Sequence, residues 1–504
     1  MNHLILVAPI LWPLAMAIIV TIFWFRRSIQ STLNVLGSAG LLVIGILLVR
    51  TVWLDGIQAV QMGEWPAPFG ITIVADLFSA SMVLITGIIA FALSIYSLVT
   101  IDKRRKQFGY YSLINTLYMG VCGAFVTGDL FNMYVWFEVM LISSFVLLTL
   151  GGESKQIEGT FKYVTINLIS SALFLVGVGF LYGIVGTLNM ADLSVKLANH
   201  ENQGMITVVS MFFLASFGIK AAVFPLFFWL PASYHTPPIA ITAIFAGLLT
   251  KVGVYSLIRV FTLLFVGNID FTHTLILIIS AFTMFVGVLG AASQYDMRKI
   301  LSFHIISQIG YMIFGLALFT PLAIAGAIFY TLHHIIVKTN LFLVSGLVKQ
   351  LKGDYDVRKI GGVLNSYPLV AILFLIPALS LAGMPPLSGF WSKFFLLKAA
   401  FEDQSYIVAA VALLVGLLTL FSMMKIWNEA FWKNSPKEHV GVERVKVNLF
   451  SRPVIFMVIP IIFLAAITVF IGFYPEPLFA LASRASEQLL NPQEYINVVL
   501  GGAR

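Results

Sequence analysis

Apolar stretches of about 18–28 residues recur from one end of the chain to the other. At about 1.5 Å per residue, each is long enough to cross a hydrocarbon core of about 30 Å as a helix. No fold with a single water-exposed surface absorbs that many such stretches. They lie near 4–25, 33–53, 71–101, 109–127, 129–150, 160–187, 205–230, 239–266, 270–293, 300–318, 322–348, 367–398, 404–432 and 451–473, which predicts fourteen spans. The 71–101 stretch is long enough to tilt or protrude.

Composition agrees. Apolar residues make up 60% and charged residues 10%, with mean hydropathy +0.97, against about 45–50% and about 25% in soluble domains. The expected fold class is an all-α polytopic membrane protein, because a barrel would show short alternating strands. The first apolar run carries Arg26 and Arg27 after it, whereas a cleaved signal peptide carries its charges before; it reads as the first spanning helix. Cys122 is the only cysteine, so no disulfide framework exists, and the thiol reads as packed and inert.

The net charge is +8. The basic residues sit mostly in short loops, which points to membrane orientation rather than to nucleic acid. With the N-terminus outside, the inside loops hold most of them: Arg26, Arg27, Lys103–Lys106 (with Arg104 and Arg105), Lys155, Lys162, Arg298, Lys299, Lys349, Lys352, Arg358, Lys359, Lys433, Lys437, Arg444, Lys446 and Arg452. The outside segments hold Arg50, Lys196, Arg259, Lys398, Arg484 and Arg504. Both termini are therefore expected outside. His235 and His273 read as solvated loop residues, and Lys425 as a side chain snorkelling to the interface.

Several ionisable residues interrupt the spans. Glu138, in FNMYVWFEVMLISS, is the one acidic residue expected deep in a span. Lys220, Lys251, His334, Lys338 and Lys393 lie in other spans. A charge at mid-membrane costs about 2.5–3.5 kcal/mol on insertion scales, so such groups face protein or water and mark ion or proton paths. One deep carboxylate cannot neutralise four ammonium groups, so some of these lysines are uncharged part of the time. A lysine that sheds its proton and an imidazole that titrates near neutral pH are both proton carriers. Pairing of Glu138 with Lys220 would hold a proton there; separation would release it. His333, about 100° around the helix from His334, ranks second.

Prolines break two of these spans. Pro225 follows Lys220, and Pro385 and Pro386 precede Lys393. Irregular backbone persists in a membrane where it is buried or lines a cavity, and transporters place ion sites at such breaks in inverted repeats. The breaks fall in the seventh and twelfth spans, which run in opposite directions. This predicts two five-helix inverted repeats, spans 4–8 and 9–13, and the divisions 1–108, 109–266, 267–432 and 433–504.

These residues carry a resemblance. FEVM with Glu138, FGIKAAVFPLFFWLPASYHTPP with Lys220, LLTKVGVYSLIR with Lys251, QYDMRKILSFHIISQIGYM, HHIIVK with His334 and Lys338, and GMPPLSGFWSKF with Lys393 together resemble the proton-translocating antiporter superfamily over about residues 70–430. That superfamily includes the antiporter-like subunits of respiratory complex I and the large subunits of Mrp-type cation/proton antiporters. The length is nearest the D-type Mrp subunits and too short for the A type. Lys393 stands where the M subunit of complex I usually has glutamate, while the N subunit has lysine there. The resemblance implies a mid-membrane row of Glu138, Lys220, Lys251, His334 and Lys393 that moves protons, and Lys338, one turn beyond His334, is expected to share in the transfer. It also implies assembly with Mrp subunits A, B, C, E, F and G in a bacterial cell membrane, exchanging H⁺ for Na⁺.

No enzyme site is expected. GxGxxG and GxxxxGK[ST] are absent, and one cysteine cannot hold a four-cysteine cluster. No metal site and no cofactor are expected. Sodium is expected to cross chiefly in another subunit. Two alternatives stand beside this reading: a pump subunit of a redox complex, and a structural subunit that moves nothing.

Overall fold

A computed structural model describes residues 2–434, 449 and 451–501. Lys437, Arg444, Lys446 and Arg504, assigned above to loops, lie outside the described residues.

The chain is a helical membrane bundle. Helices α1 (Asn2–Ile22) and α2 (Arg27–Asp55) come first. A hairpin of β1 (Gln58–Gln61) and β2 (Thr72–Ala75) follows, antiparallel with Gln58 opposite Ala75 and Gln61 opposite Thr72. Next are α3 (Leu77–Thr100), α4 (Tyr110–Val126), α5 (Leu130–Thr149), α6 (Ser154–Val185) and α7 (Gln203–Ala221). The second half holds α8 (Ile239–Leu263), α9 (Ile269–Ser293), α10 (Met297–Leu318), α11 (Pro321–Lys352), α12 (Pro368–Ala382), α13 (Ser388–Glu402) and α14 (Tyr406–Trp432). The chain ends with α15 (Arg452–Phe473), α16 (Glu476–Leu490) and α17 (Gln493–Leu500).

Among the described residues, twelve helices are long and apolar enough to cross a membrane. The other two expected spans correspond to α4, which has 17 residues, and to the broken pair α12–α13. The 71–101 expectation needs correction. Its first residues form β2, and the helix begins at Leu77, where the Asp76 carboxylate accepts from Ser79 N at 2.8 Å in a capping box. An N-terminal carboxylate satisfies an otherwise orphaned amide and suits the positive helix end.

Burial is uneven. Helices α8, α10 and α11 are buried almost all round, whereas α1, α2, α6 and α9 expose an apolar face. A helix apolar on every side belongs at the centre of the bundle. Two of these central helices, α8 and α11, carry Lys251, His334 and Lys338.

The two ends of the bundle differ. At one end lie the short helix Lys103–Gln107 and the bridge between Asp296 and Asp356, among the basic loops. At the other lie the hairpin, its bridge from Ile73 to Thr127, the bridge from Asp129 to Asn189, and the α16–α17 tail. Lys425 fits its expected place, donating to the carbonyls of Ala292 and Gln294 at the basic end. His273 does not: it lies inside α9 and is buried. His235 is half-buried, with Nδ1 2.8 Å from the Pro231 carbonyl oxygen.

Candidate functional site

The first broken span is α7. It ends at Ala221, where Ala222 takes the left-handed conformation (φ 61°). The break then runs through Pro225 to a short helix, Trp229–Ser233. Helix ends leave carbonyls and amides without partners. Here Trp229 Nε1 donates to the Ile219 carbonyl at 3.0 Å, and the Phe224 amide donates to Thr283 Oγ1 at 3.0 Å.

Lys220 sits in the last turn of α7, where the helix dipole favours a cation. Its ammonium donates to Ser171 Oγ on α6 at 3.3 Å and lies 4.8 Å from the centre of the Phe137 ring. Behind Phe137, Phe217 packs against Phe137, Phe174 and Phe213, with ring centroids 5.8, 4.8 and 5.9 Å apart. Ser170 and Ser216 donate reciprocally to each other's carbonyls at 2.8 Å, fixing α6 against α7. Glu138 is an electrostatic neighbour of Lys220, Tyr134 and Tyr163. No ion pair joins Glu138 to Lys220 among the described residues, and Glu138 Oε1 is buried without a protein partner. The structure brings the two near each other in a separated arrangement.

Lys251 lies one helix away. Gly253 on α8 is pressed against the break: a Cβ there would stand 2.6 Å from Ala221 N and 2.9 Å from Lys220 C. The fully buried Lys251 ammonium donates to the Ala246 carbonyl at 2.6 Å, within a single π-helical turn, Phe245–Leu249. Such turns release a carbonyl from the regular ladder. Lys338 and His334, both on α11, are electrostatic neighbours of Lys251. Lys338 Nζ and both ring nitrogens of His334 are buried without a protein hydrogen-bond partner, as are both side-chain polar atoms of Asn340.

The second break separates α12 from α13. α12 ends at Ala382, and Gly383 turns with φ 91°. Pro385 and Pro386 fill the gap. Lys393 Nζ reaches back to donate to the carbonyls of Leu381 and Ala382, at 3.1 and 3.0 Å, and so caps the negative end of α12. Its ammonium lies 4.8 Å from the Tyr311 ring centre. His333 belongs to this break: Nδ1 lies 2.8 Å from Ser388 Oγ, which lies 2.9 Å from Ser380 Oγ. Gly389 lets α13 touch α12, since a Cβ there would overlap the Ser380 carbonyl oxygen.

Some of the polar environment was not expected. His304, Gln308 and Tyr311 line one face of α10. His304 Nε2 is 3.0 Å from Ser422 Oγ, Gln308 accepts from Tyr330 OH, and Tyr311 donates to the Ala412 carbonyl. Their four- and three-residue spacing is the helical signal that marks them. Arg259, assigned above to an outside segment, is instead buried in α8. It forms an ion pair with buried Asp76 at 2.6 Å, and Nη2 donates to Tyr255 OH at 3.0 Å. Glu138, which is half-buried, is therefore not the only acid inside the bundle.

The site residues thus fall into three linked groups: Glu138 with Lys220; Lys251 with His334 and Lys338; and His333 with Lys393. Fold and groups define a membrane protein with an internal file of ionisable side chains. The profile of the family described as NADH:quinone oxidoreductase/Mrp antiporter, TM, matches residues 127–421. The D-type Na⁺/H⁺ antiporter subunit of Alkalihalophilus pseudofirmus is 48% identical over 500 residues, covering 99% of this chain and 100% of that one. A chain in the Mrp complex structure from a Dietzia species superposes with TM-score 0.90 at 30% identity, over 98% of this chain and 99% of that one. A chain of respiratory complex I from Thermus thermophilus shares the fold, with TM-score 0.80 at 24% identity over 96% and 100%. The chain belongs to the family of membrane subunits shared by NADH:quinone oxidoreductases and Mrp antiporters.

Proposed function

We propose that the chain is the D-type membrane subunit of a multisubunit Na⁺/H⁺ antiporter of the Mrp kind. It carries protons along Glu138, Lys220, Lys251, His334, Lys338 and Lys393, with His333 as a side station. It works in a bacterial cell membrane beside subunits A, B, C, E, F and G, with both termini on the outer side. It is a transporter subunit rather than an enzyme. Spans 4–8 and 9–13 act as two inverted repeats, each broken beside a lysine.

One observation carries this reading: the four buried lysines are held by neutral partners or by none, with no carboxylate paired to any of them among the described residues. A structural ammonium would be paired, because an isolated buried charge is costly. An ammonium held by a serine, a carbonyl or water can release its proton to the next site. Glu138, separated from Lys220, can approach or withdraw and so bias that release.

In vesicles containing the whole complex, Lys220→Ala abolishes Na⁺-dependent dissipation of ΔpH at equal assembly. Unchanged exchange overturns the row as the transport path. The fold also admits a redox-pump subunit; that reading predicts co-purification with quinone-reducing subunits and no response to Na⁺.

A further inference from the structure

A cavity of about 580 Å³ opens at the basic end of the bundle, beneath the first helix break. One wall is cationic: Lys155 and Lys162 from α6, and Lys299 from α10. The other is aromatic: Phe227 and Phe228 of the break itself, with Phe303. Phe228 is 69% exposed. Glu158 is the one acid in the lining, and Lys162 already holds it at 2.6 Å. Asp296, at the start of α10, is engaged by Arg298 at 3.2 Å. Lys155 and Lys299 have no acidic partner among the described residues.

The placement sets the chemistry of the occupant. Lys155 and Lys299 stand in the first turns of their helices, where helices leave the hydrocarbon and lipid headgroups begin. Cations are disfavoured in a first turn, since they face the positive end of the helix. An anion between them relieves both repulsions. The exposed aromatic wall beside the cations suits an acyl chain. Basic pockets between spanning helices on the positively charged side take anionic headgroups by this combination.

We propose that this cavity binds the headgroup of an anionic phospholipid, with phosphate between Lys155 and Lys299 and an acyl chain along Phe228. Because Phe227, Phe228, Pro231 and His235 are both lining and break, the bound lipid holds the segment that follows Lys220. Gly159 keeps α6 close to that segment: a Cβ there would stand 3.0 Å from Thr236 Oγ1.

The test measures retained lipid on the purified complex, so it does not depend on exchange activity. The complex is stripped in detergent, mixed with vesicles of phosphatidylcholine containing phosphatidylglycerol, repurified and examined by native mass spectrometry. Wild type retains phosphatidylglycerol over phosphatidylcholine. Lys155→Gln/Lys299→Gln lowers that retention by about ten- to thirtyfold, while Lys155→Arg/Lys299→Arg keeps it. Lys196→Gln, on the opposite end and paired with Asp192, leaves it unchanged. Equal retention by wild type and the glutamine variant overturns the proposal. So does full displacement by inorganic phosphate, which would mean a free-anion site. So does crosslinking of a cysteine placed at Phe228 to a partner subunit in the intact complex.

Discussion

Asp76 and Arg259 show what a buried charge requires when it is structural. Their side chains meet at 2.6 Å, and both are almost wholly buried. The Asp76 carboxylate also accepts from the Ser79 amide, and the guanidinium also reaches Tyr255 OH. Lys338, with no protein partner, stands at the opposite extreme. Asp76→Asn leaves the guanidinium unpaired and is expected to destabilise by about 3–5 kcal/mol, seen as a lower melting temperature of the solubilised complex. Asp76→Asn/Arg259→Gln regains most of that loss, because coupling between contacting residues is not additive. A double variant as unstable as the sum of the singles would refute the pairing. The sequence displayed the lysines plainly, because a cation inside an apolar run has no ordinary explanation. It hid this pair: each residue stands within a few residues of the end of an expected span, where a charge is ordinarily read as interfacial. Only tertiary folding brings residues 76 and 259 together.

At the scale of elements, the two breaks solve one problem in two ways. In α7 the lysine lies on the half-helix before the break; in α12–α13 it lies on the half-helix after it and turns back. Each places an ammonium at the carbonyl end of a half-helix. Each depends on a glycine that admits a neighbouring backbone: Gly253 against Lys220 and Ala221, Gly389 against Ser380. Gly253→Ala is expected to push α8 from the break, costing about 1–3 kcal/mol in overpacking. Exchange per assembled complex should fall more than yield, since the displacement falls between Lys220 and Lys251. Gly183→Ala, where an added Cβ meets nothing within 4 Å, is the control and should leave both unchanged. If Gly253→Ala transports normally, close contact of α8 with the break is not needed. The prolines announced both breaks in the sequence. The glycines did not, because a helical glycine is informative only once its neighbour is known.

At the scale of the molecule, the tail binds distant parts of the chain into one end. From sequence, the outside tail 474–504, which holds α16 and α17, is expected to contribute contacts to other subunits. In the structure, Gln488 Oε1 accepts from the Leu77 amide at 3.0 Å, and Ser486 Oγ donates to the Pro321 carbonyl at 2.8 Å. Glu494 Oε1 accepts from the Ile57 amide at 3.2 Å, and Gln61 Nε2 donates to the Val499 carbonyl at 3.1 Å. The tail thus touches the starts of α3 and α11, the hairpin and the end of α2. Tyr495, buried beneath it, lies 5.7 Å from the Arg259 guanidinium and so covers the Asp76 pair. The contacts are hydrogen bonds between side chains and the backbone of residues distant in sequence, which no pattern within the tail discloses. Truncation after Tyr474 removes those hydrogen bonds and the contacts of the buried Leu489, Tyr495 and Val499, worth about 1.5–3 kcal/mol for each fully buried large side chain. The truncated subunit should therefore assemble at a clearly lower melting temperature. The loss should overlap that of Asp76→Asn: added to the truncation, Asp76→Asn costs less than it does in the full chain, because water then reaches the pair and repays part of its solvation. Phe69→Ser, at the exposed hairpin tip, should change nothing. If truncation and Asp76→Asn add in full, the tail and the ion pair are independent, and something other than Tyr495 seals the bundle at that end.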